Sequence, residues 1–242
     1  MVPGPCFQEE FPLVKRAARV QAVFVVLFSL FSLPAPVLGL EGFPGVAERV
    51  MAGTVMIEAR GSEALHFGSG FFLESPEVVI TAYHVVEGAR RIRVAIPNTF
   101  LTSDALLVSG SPEWDVAVLK VAWPEEVDFP GLRLSAKKSG LPVGTDVAYT
   151  GYGFGTGEAF VKILSTYRGI ISSRVPHGEG HLYHLSGLVN RGLSGSALYL
   201  PESGEVIGVV TRLFGPPGID MGFGGAVPSE VIGRLLDRVR DR

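Results

Sequence analysis

Asn190-Arg191-Gly192-Leu193-Ser194-Gly195-Ser196-Ala197-Leu198 is the stretch on which the reading of this chain turns. Its serine has a glycine one residue after it and another two residues before, ahead of a small apolar run. Acyl transfer needs two backbone N–H groups aimed at the oxygen that becomes negative. Here those donors would be the amides of Gly192 and Ser194. A glycine at 192 permits the backbone angles that so tight a loop demands. Taken alone, the stretch reads equally well as a plain glycine–serine turn. It is not a Gly-x-Ser-x-Gly elbow, because Ser196 stands where the second glycine would be.

Two further segments change its weight. Thr81-Ala82-Tyr83-His84-Val85-Val86 ends an apolar run that starts at Val78, so its histidine sits where a ring can project into a cleft. Trp114-Asp115-Val116-Ala117-Val118-Leu119-Lys120 places an aspartate at the entrance of an apolar strand. A serine hydroxyl is a poor nucleophile unless a base takes its proton, and that base works only in the tautomer an acid holds for it. A carboxylate entering a buried strand needs a partner, and an imidazole N–H is one. The bland alternatives are a surface or satisfied core histidine and a turn-capping aspartate after Pro112. Each stands well by itself, but three coincidences in the order His, Asp, Ser do not.

The surrounding text is that of an all-β protein. Short runs rich in valine and isoleucine recur about every ten residues, cut by Gly, Pro, Asp and Ser, as sandwiches and barrels require. The first group covers 53–58, 68–73, 78–81, 92–96 and 116–121, and the second 146–152, 162–173, 181–186, 197–200 and 205–212. Between them residues 123–143 turn polar and loop-like, with Pro124, Pro130 and Pro142, and read as a linker. His84 and Asp115 fall in the first group and Ser194 in the second, so the site is expected across an interface. No helical period is expected until residues 229–241, where Ser229 can cap a helix with Val231, Ile232, Leu235, Leu236 and Val239 on one face.

Bulk properties narrow the class. The 242 residues carry 21 Lys and Arg against 24 Asp and Glu, a net charge of −3, which gives no support for nucleic-acid binding. The single cysteine, Cys6, excludes an intrachain disulfide. Near the N-terminus, Lys15, Arg16 and Arg19 precede the apolar run Ala22–Leu33, and Pro34 and Pro36 follow. That run is short for a bilayer span and suits the core of a signal peptide cleaved after Gly39. Val20–Leu40 is also just long enough for an uncleaved, tilted anchor. Either way the rest of the chain is expected outside the cytoplasm.

Taken as a set, these segments resemble the HtrA/Deg branch of the trypsin-like serine proteases, over about residues 48 to 230. Gly68-Ser69-Gly70-Phe71 resembles the glycine-rich strand before the histidine. Val143-Gly144 to Gly155, Arg168-Gly169-Ile170-Ile171-Ser172 and Gly222 to Ser229 resemble further landmarks. The resemblance implies two six-stranded antiparallel β-barrels of the chymotrypsin/trypsin type, the first over about 48–122 and the second over about 144–228, with a short C-terminal helix. It implies His84 as general base, Asp115 as its orienting acid, Ser194 as nucleophile, and Gly192 with Ser194 as oxyanion hole. It implies a protease domain only, with no PDZ domain, no cofactor and no metal. Unfolded or misfolded proteins would be its substrates, in the periplasm or cell envelope; a homo-oligomer and membrane association through the N-terminal segment fit it as well. A primary pocket would be lined by Leu188, Val189 and Asn190 and by Val209, Val210 and Thr211, with Leu188 at its base.

Three departures stand out. Leu193 replaces the usual Asn or Asp, Ser196 replaces a glycine, and Tyr83 replaces a smaller residue; Leu193 and Tyr83 are expected to narrow the cleft. The cluster His177, His181 and His184 reads as a polar loop and strand edge, since His181 and His184 face opposite sides of a strand and no cysteine supports a metal. A proteolytically silent chaperone or binding module on the same fold remains open, as does an esterase with the same triad.

Overall fold

β1 (Thr54–Arg60), β2 (Leu65–Leu73), β3 (Ser75–Thr81), β4 (Arg91–Ala95), β5 (Thr102–Ser111) and β6 (Val116–Val121) close into a first barrel, in the order β1-β2-β3-β6-β5-β4. A second barrel, in the order β10-β11-β12-β9-β8-β7, is built from β7 (Asp146–Phe154), β8 (Lys162–His177), β9 (Gly180–Leu188), β10 (Ala197–Tyr199), β11 (Val206–Leu213) and β12 (Phe223–Pro228). Neighbours pair antiparallel, as the resemblance implies. The computed structural model describes residues 42–62, 64–96, 99, 101–124, 129–136, 140–154, 162–213 and 223–240, all within the unit Glu41–Arg242. The segment expected to be a signal peptide or anchor, residues 1–39, lies outside them. No helix among the described residues is long and apolar enough to cross a membrane.

Strand alternation sorts each barrel into an inner and an outer face. Phe72, Val79 and Leu119 point inward to fill the first barrel, while their neighbours Phe71, Ile80 and Val118 point outward. In the second barrel Tyr149, Leu198 and Val210 point inward, while Ala148, Ala197 and Val209 point outward. The outward sets meet in a third cluster that joins the barrels, together with Leu73, Val116, Tyr199 and Val206. Two helices seal this layer. α1 (Phe43–Ala52) supplies Val46 and Val50, and a C-terminal helix supplies Val231, Ile232 and Leu235.

The early helix corrects the expectation that no helical period precedes residue 229. α1 spans 10 residues with a proline in its first turn and buries Val46, Ala47 and Val50 on one stripe. So short a helix owes its stability to packing rather than to propensity. β5 and β12 were not among the apolar runs. β5 buries only Ala105 of its ten residues, so its text lacks the alternation of a half-buried strand. The polar linker does structural work, pairing with both barrels. Leu132 exchanges backbone bonds with Phe72 and Glu74, each at 2.9 Å, and Arg133 and Ser135 bond Val206 at 2.8 Å.

A fold held this way should be sensitive at the joining layer. Phe71 is fully buried there. Phe71→Ala should cost about 3–5 kcal/mol in chemical denaturation, the usual toll for deleting a buried ring. A loss below about 1 kcal/mol would show that the layer between the barrels is not a tightly packed core.

Candidate active site

His84 lies on a one-turn helix, α2 (Tyr83–Val86), that begins where β3 ends. The turn before β6 brings Asp115 against it. Asp115 takes a positive φ of 55°, unusual for a side-chain-bearing residue but tolerated by aspartate. That twist aims both carboxylate oxygens at the histidine. Oδ2 accepts the His84 Nδ1–H at 2.7 Å, and Oδ1 accepts the His84 backbone N–H at 2.8 Å. The Asp115 carbonyl accepts the Tyr83 N–H at 3.1 Å, so α2 supplies three of the four groups that hold this turn. The fourth comes from the second barrel, where the Thr211 hydroxyl on β11 donates to Oδ2. Burial pushes the Asp115 carboxyl up, but the hydrogen bond and charge of His84, then the Thr211 hydroxyl and the His84 N–H, outweigh it; the group lies below the usual carboxylate range. With Nδ1–H committed to the carboxylate, Nε2 is the free basic nitrogen.

Ser194 sits half-buried in the loop between β9 and β10, whose shape rests on two glycines. Gly192 and Gly195 have φ of 94° and 90°. A side-chain carbon at 192 would stand 2.3 Å from the Tyr152 carbonyl, and one at 195 would stand 2.0 Å from the Ser69 carbonyl. The loop abuts the histidine's barrel directly: a carbon on Gly68 would touch Val85 at 2.7 Å and the Ser194 carbonyl at 3.0 Å. Among the described residues, the backbone N–H groups of Gly192 and Ser194 have no hydrogen-bond partner. The Ser194 hydroxyl likewise makes no bond there, to His84 or to anything else. Two free amides beside a free hydroxyl can receive a carbonyl oxygen and attack its carbon.

Thr211, expected in a pocket wall, donates its hydroxyl to Asp115. No sequence signal distinguished it, because its role depends on the facing barrel. Leu193 and Tyr83 do not crowd the cleft as expected: Leu193 is fully buried in the second barrel's core, and the Tyr83 ring packs over Gly110 of β5. Ser196 is fully buried, and its hydroxyl has no partner among the described residues. Val209 belongs to the joining layer and Val210 to the second barrel's core. Val189 is buried against Gly224, where a side-chain carbon would meet it at 2.1 Å. Asn190 is half-buried, and the Leu188 side chain and residues 214–222 lie outside the described residues. His177 bonds the Glu113 carbonyl at 2.9 Å, His184 bonds the Ser173 hydroxyl at 3.3 Å, and the His181 ring packs edge-on against Tyr183.

A double barrel with a histidine–aspartate pair on one half and a glycine-flanked serine loop on the other defines the class of trypsin-like serine endopeptidases. The trypsin-like peptidase domain matches residues 68–209, and the chain belongs to that family, as an HtrA-type member. It is 31% identical over 175 residues to the chloroplastic Protease Do-like 1 of Arabidopsis thaliana, covering 71% of this chain and 39% of that protein. It is 30% identical to the periplasmic serine endoprotease DegP of Salmonella typhimurium, covering 71% of this chain and 35% of the relative. The chain thus spans well under half the length of these curated relatives. Among solved structures, the HtrA-type protease AlgW with a tripeptide superposes with a TM-score of 0.68 at 25% identity, covering 82% of this chain and 63% of that one. A serine endoprotease from Yersinia pestis gives 0.66 at 25% identity, covering 82% and 66%.

The depressed carboxyl has a consequence for acid stability. Because the folded-state value is the lower one, Asp115 contributes stability above its unfolded value and loses it as pH falls through the folded one. Asp115→Asn should therefore be less stable than the parent at neutral pH, and the gap should shrink below about pH 4. Denaturation midpoints across pH check this; a gap independent of pH would mean that the carboxylate's charge contributes nothing to the folded state.

Proposed function

We propose that this protein is an exported serine endopeptidase that hydrolyses peptide bonds in unfolded or damaged proteins, with His84 as general base, Asp115 as its orienting acid and Ser194 as nucleophile. The observation that carries the reading is the Asp115 carboxylate, which holds the imidazole through Nδ1 at 2.7 Å while two unpartnered amides flank the serine opposite. Ser194 Oγ attacks the scissile carbonyl carbon as its proton passes to His84 Nε2. The carbonyl oxygen becomes an oxyanion between the Gly192 and Ser194 N–H groups. The intermediate collapses, His84 gives the proton to the departing amine, and an ester to Ser194 remains. Water, deprotonated by the same nitrogen, then releases the acid. No cofactor enters any step. The periplasmic relative in Salmonella and the apolar run at 22–33 support export.

One observation favours a second reading. The Ser194 hydroxyl is not bonded to the imidazole, as would suit a proteolytically silent binding module on this fold. Chemistry separates the two. A serine-reactive phosphonate should label Ser194 and leave the buried Ser196 untouched, casein should be cleaved, and Ser194→Ala should abolish both. Asp115→Asn should keep the fold and lower kcat about ten-thousand-fold, since the imidazole is then held in the wrong tautomer. Labelling at Ser196, or casein left intact by the parent enzyme, would overturn the assignment.

The resemblance that puts Leu188 at the base of the primary pocket supports a specificity. No carboxylate stands at Leu188, so a buried lysine or arginine would lack a partner. The stretches expected to line that pocket, Leu188-Val189-Asn190 and Val209-Val210-Thr211, are mostly apolar. Valine, alanine or leucine is expected before the cut, each buried methylene adding about 0.8 kcal/mol of preference. Mass spectrometry of a digested, denatured protein reads this directly, and a dominance of cuts after lysine or arginine would contradict it.

A further inference from the structure

Ser69 on β2 belongs to neither the acid–base pair nor the nucleophile loop, yet it bonds that loop at two carbonyls. It is fully buried. Its hydroxyl donates to the Gly192 carbonyl at 2.7 Å and accepts the Tyr152 N–H at 2.8 Å, so its single proton and one lone pair are both used. Its backbone N–H donates to the Ser194 carbonyl at 2.8 Å. Its own carbonyl accepts the Thr81 hydroxyl at 2.6 Å, which anchors it to the strand that leads to His84.

These bonds act on alternate peptide planes of the loop. The plane joining Gly192 to Leu193 is held by the Ser69 hydroxyl at its carbonyl and by the Asn190 carbonyl at its N–H, 3.3 Å away. The plane joining Ser194 to Gly195 is held by the Ser69 N–H at its carbonyl and by the Val210 carbonyl at its N–H, at 2.7 Å. The Ser194 amide belongs to the plane between these two, and the Gly192 amide to the plane just before the first. Fixed planes on either side limit the rotations open to the plane between them, and the Leu193 carbonyl of that plane also accepts the Ser196 N–H at 3.0 Å. Ser69 thus restrains, through neighbouring planes, two amides that it never touches.

We infer that Ser69 is the positioning residue of the oxyanion site, its hydroxyl keeping the Gly192 carbonyl turned away so that the Gly192 and Ser194 N–H groups face the substrate. The inference rests on the proposed serine-protease reading. A neighbouring hydroxyl provides the contrast. Ser196 Oγ projects toward the same Gly151, yet has no partner among the described residues. Both serines are buried to the same degree, and only one is bonded to the loop's backbone.

Ser69→Ala and Ser196→Ala test this in the full chain, with active sites counted by phosphonate titration and kcat expressed per titrated site. Ser69→Ala should lower kcat about tenfold to a hundredfold with KM within about twofold, somewhat less than deleting a hole donor outright. Affinity for a peptide aldehyde, whose tetrahedral adduct places its oxygen in the hole, should fall by the same factor. The pH midpoint of activity should stay in place, because Ser69 contacts neither His84 nor Asp115 by a side-chain bond. Ser196→Ala should keep the parent kcat. Where Ser69→Ala does not fold, Ser69→Cys, of similar volume and a weaker donor, takes its place with the same pattern expected. Parent-like kcat and aldehyde affinity in the folded Ser69 variant, or equal losses in the Ser69 and Ser196 variants, would overturn the inference. A parent enzyme that never reacts with the phosphonate would instead sink the protease reading itself.

Discussion

The Asp115 carboxylate is a charge held by groups from both barrels. It lies at the mouth of β6, largely removed from water, and burial by itself would drive it toward the neutral form. Its three hydrogen bonds keep it ionised, and they come from both halves of the molecule: two from His84 beside it and one from Thr211 on the opposite barrel. Charge-assisted bonds of this kind are among the strongest a side chain makes, but only at correct distance and angle. The imidazole's orientation is thereby tied to how the barrels pack. Any slip of one against the other would strip a donor from a buried anion, at a cost the rest of the interface resists.

That packing is what the joining layer secures. Phe71, Ile80, Val116 and Val118 from one barrel meet Ala148, Ala197, Val206 and Val209 from the other, with helices closing both ends. Dry contacts of this sort are non-directional and tolerate small shifts, whereas hydrogen bonds do not. The two act together. Apolar burial supplies the bulk of the attraction, and the polar pins at Asp115–Thr211 and Ser69–Gly192 select one register within it. With Cys6 as the only cysteine, no disulfide could share that task.

How far the sequence showed this in advance depended on whether a feature is written locally. Strands such as Val116–Val121 or Val206–Leu213 carry their β-branched runs in plain text, and the serine loop carries its glycines. Asp115 was legible because a carboxylate at the start of an apolar strand demands a partner. α1 was not, since its stripe of Val46, Ala47 and Val50 fits one short turn-and-a-half of helix as easily as an irregular segment. β5 escaped for the opposite reason: its exposed Leu106 and Leu107 interrupt the alternation, and a bulge near them shifts the register. Thr211 reads from the sequence as a wall of the primary pocket, by resemblance alone. Its hydroxyl gains meaning only from a carboxylate 96 positions away in sequence, across an interface no local pattern describes.

Leu193 shows the same limit from the side of chemistry. Beside a nucleophile, a bulky apolar residue suggested obstruction, because a neighbour in sequence was taken for a neighbour in the cleft. The loop's geometry separates the two. With left-handed glycines on either side, at 192 and 195, the chain reverses so that Ser194 stays half-buried while Leu193 is turned into the second barrel's core. The leucine then anchors the loop from below as Ser69 pins it from the side. Apolar burial and backbone hydrogen bonding restrain the same four residues from different directions, and the Gly192 and Ser194 amides have no partner among the described residues. Unpaired donors are costly in a protein interior; in the proposed protease reading the surrounding restraints keep the loop from collapsing to pair them.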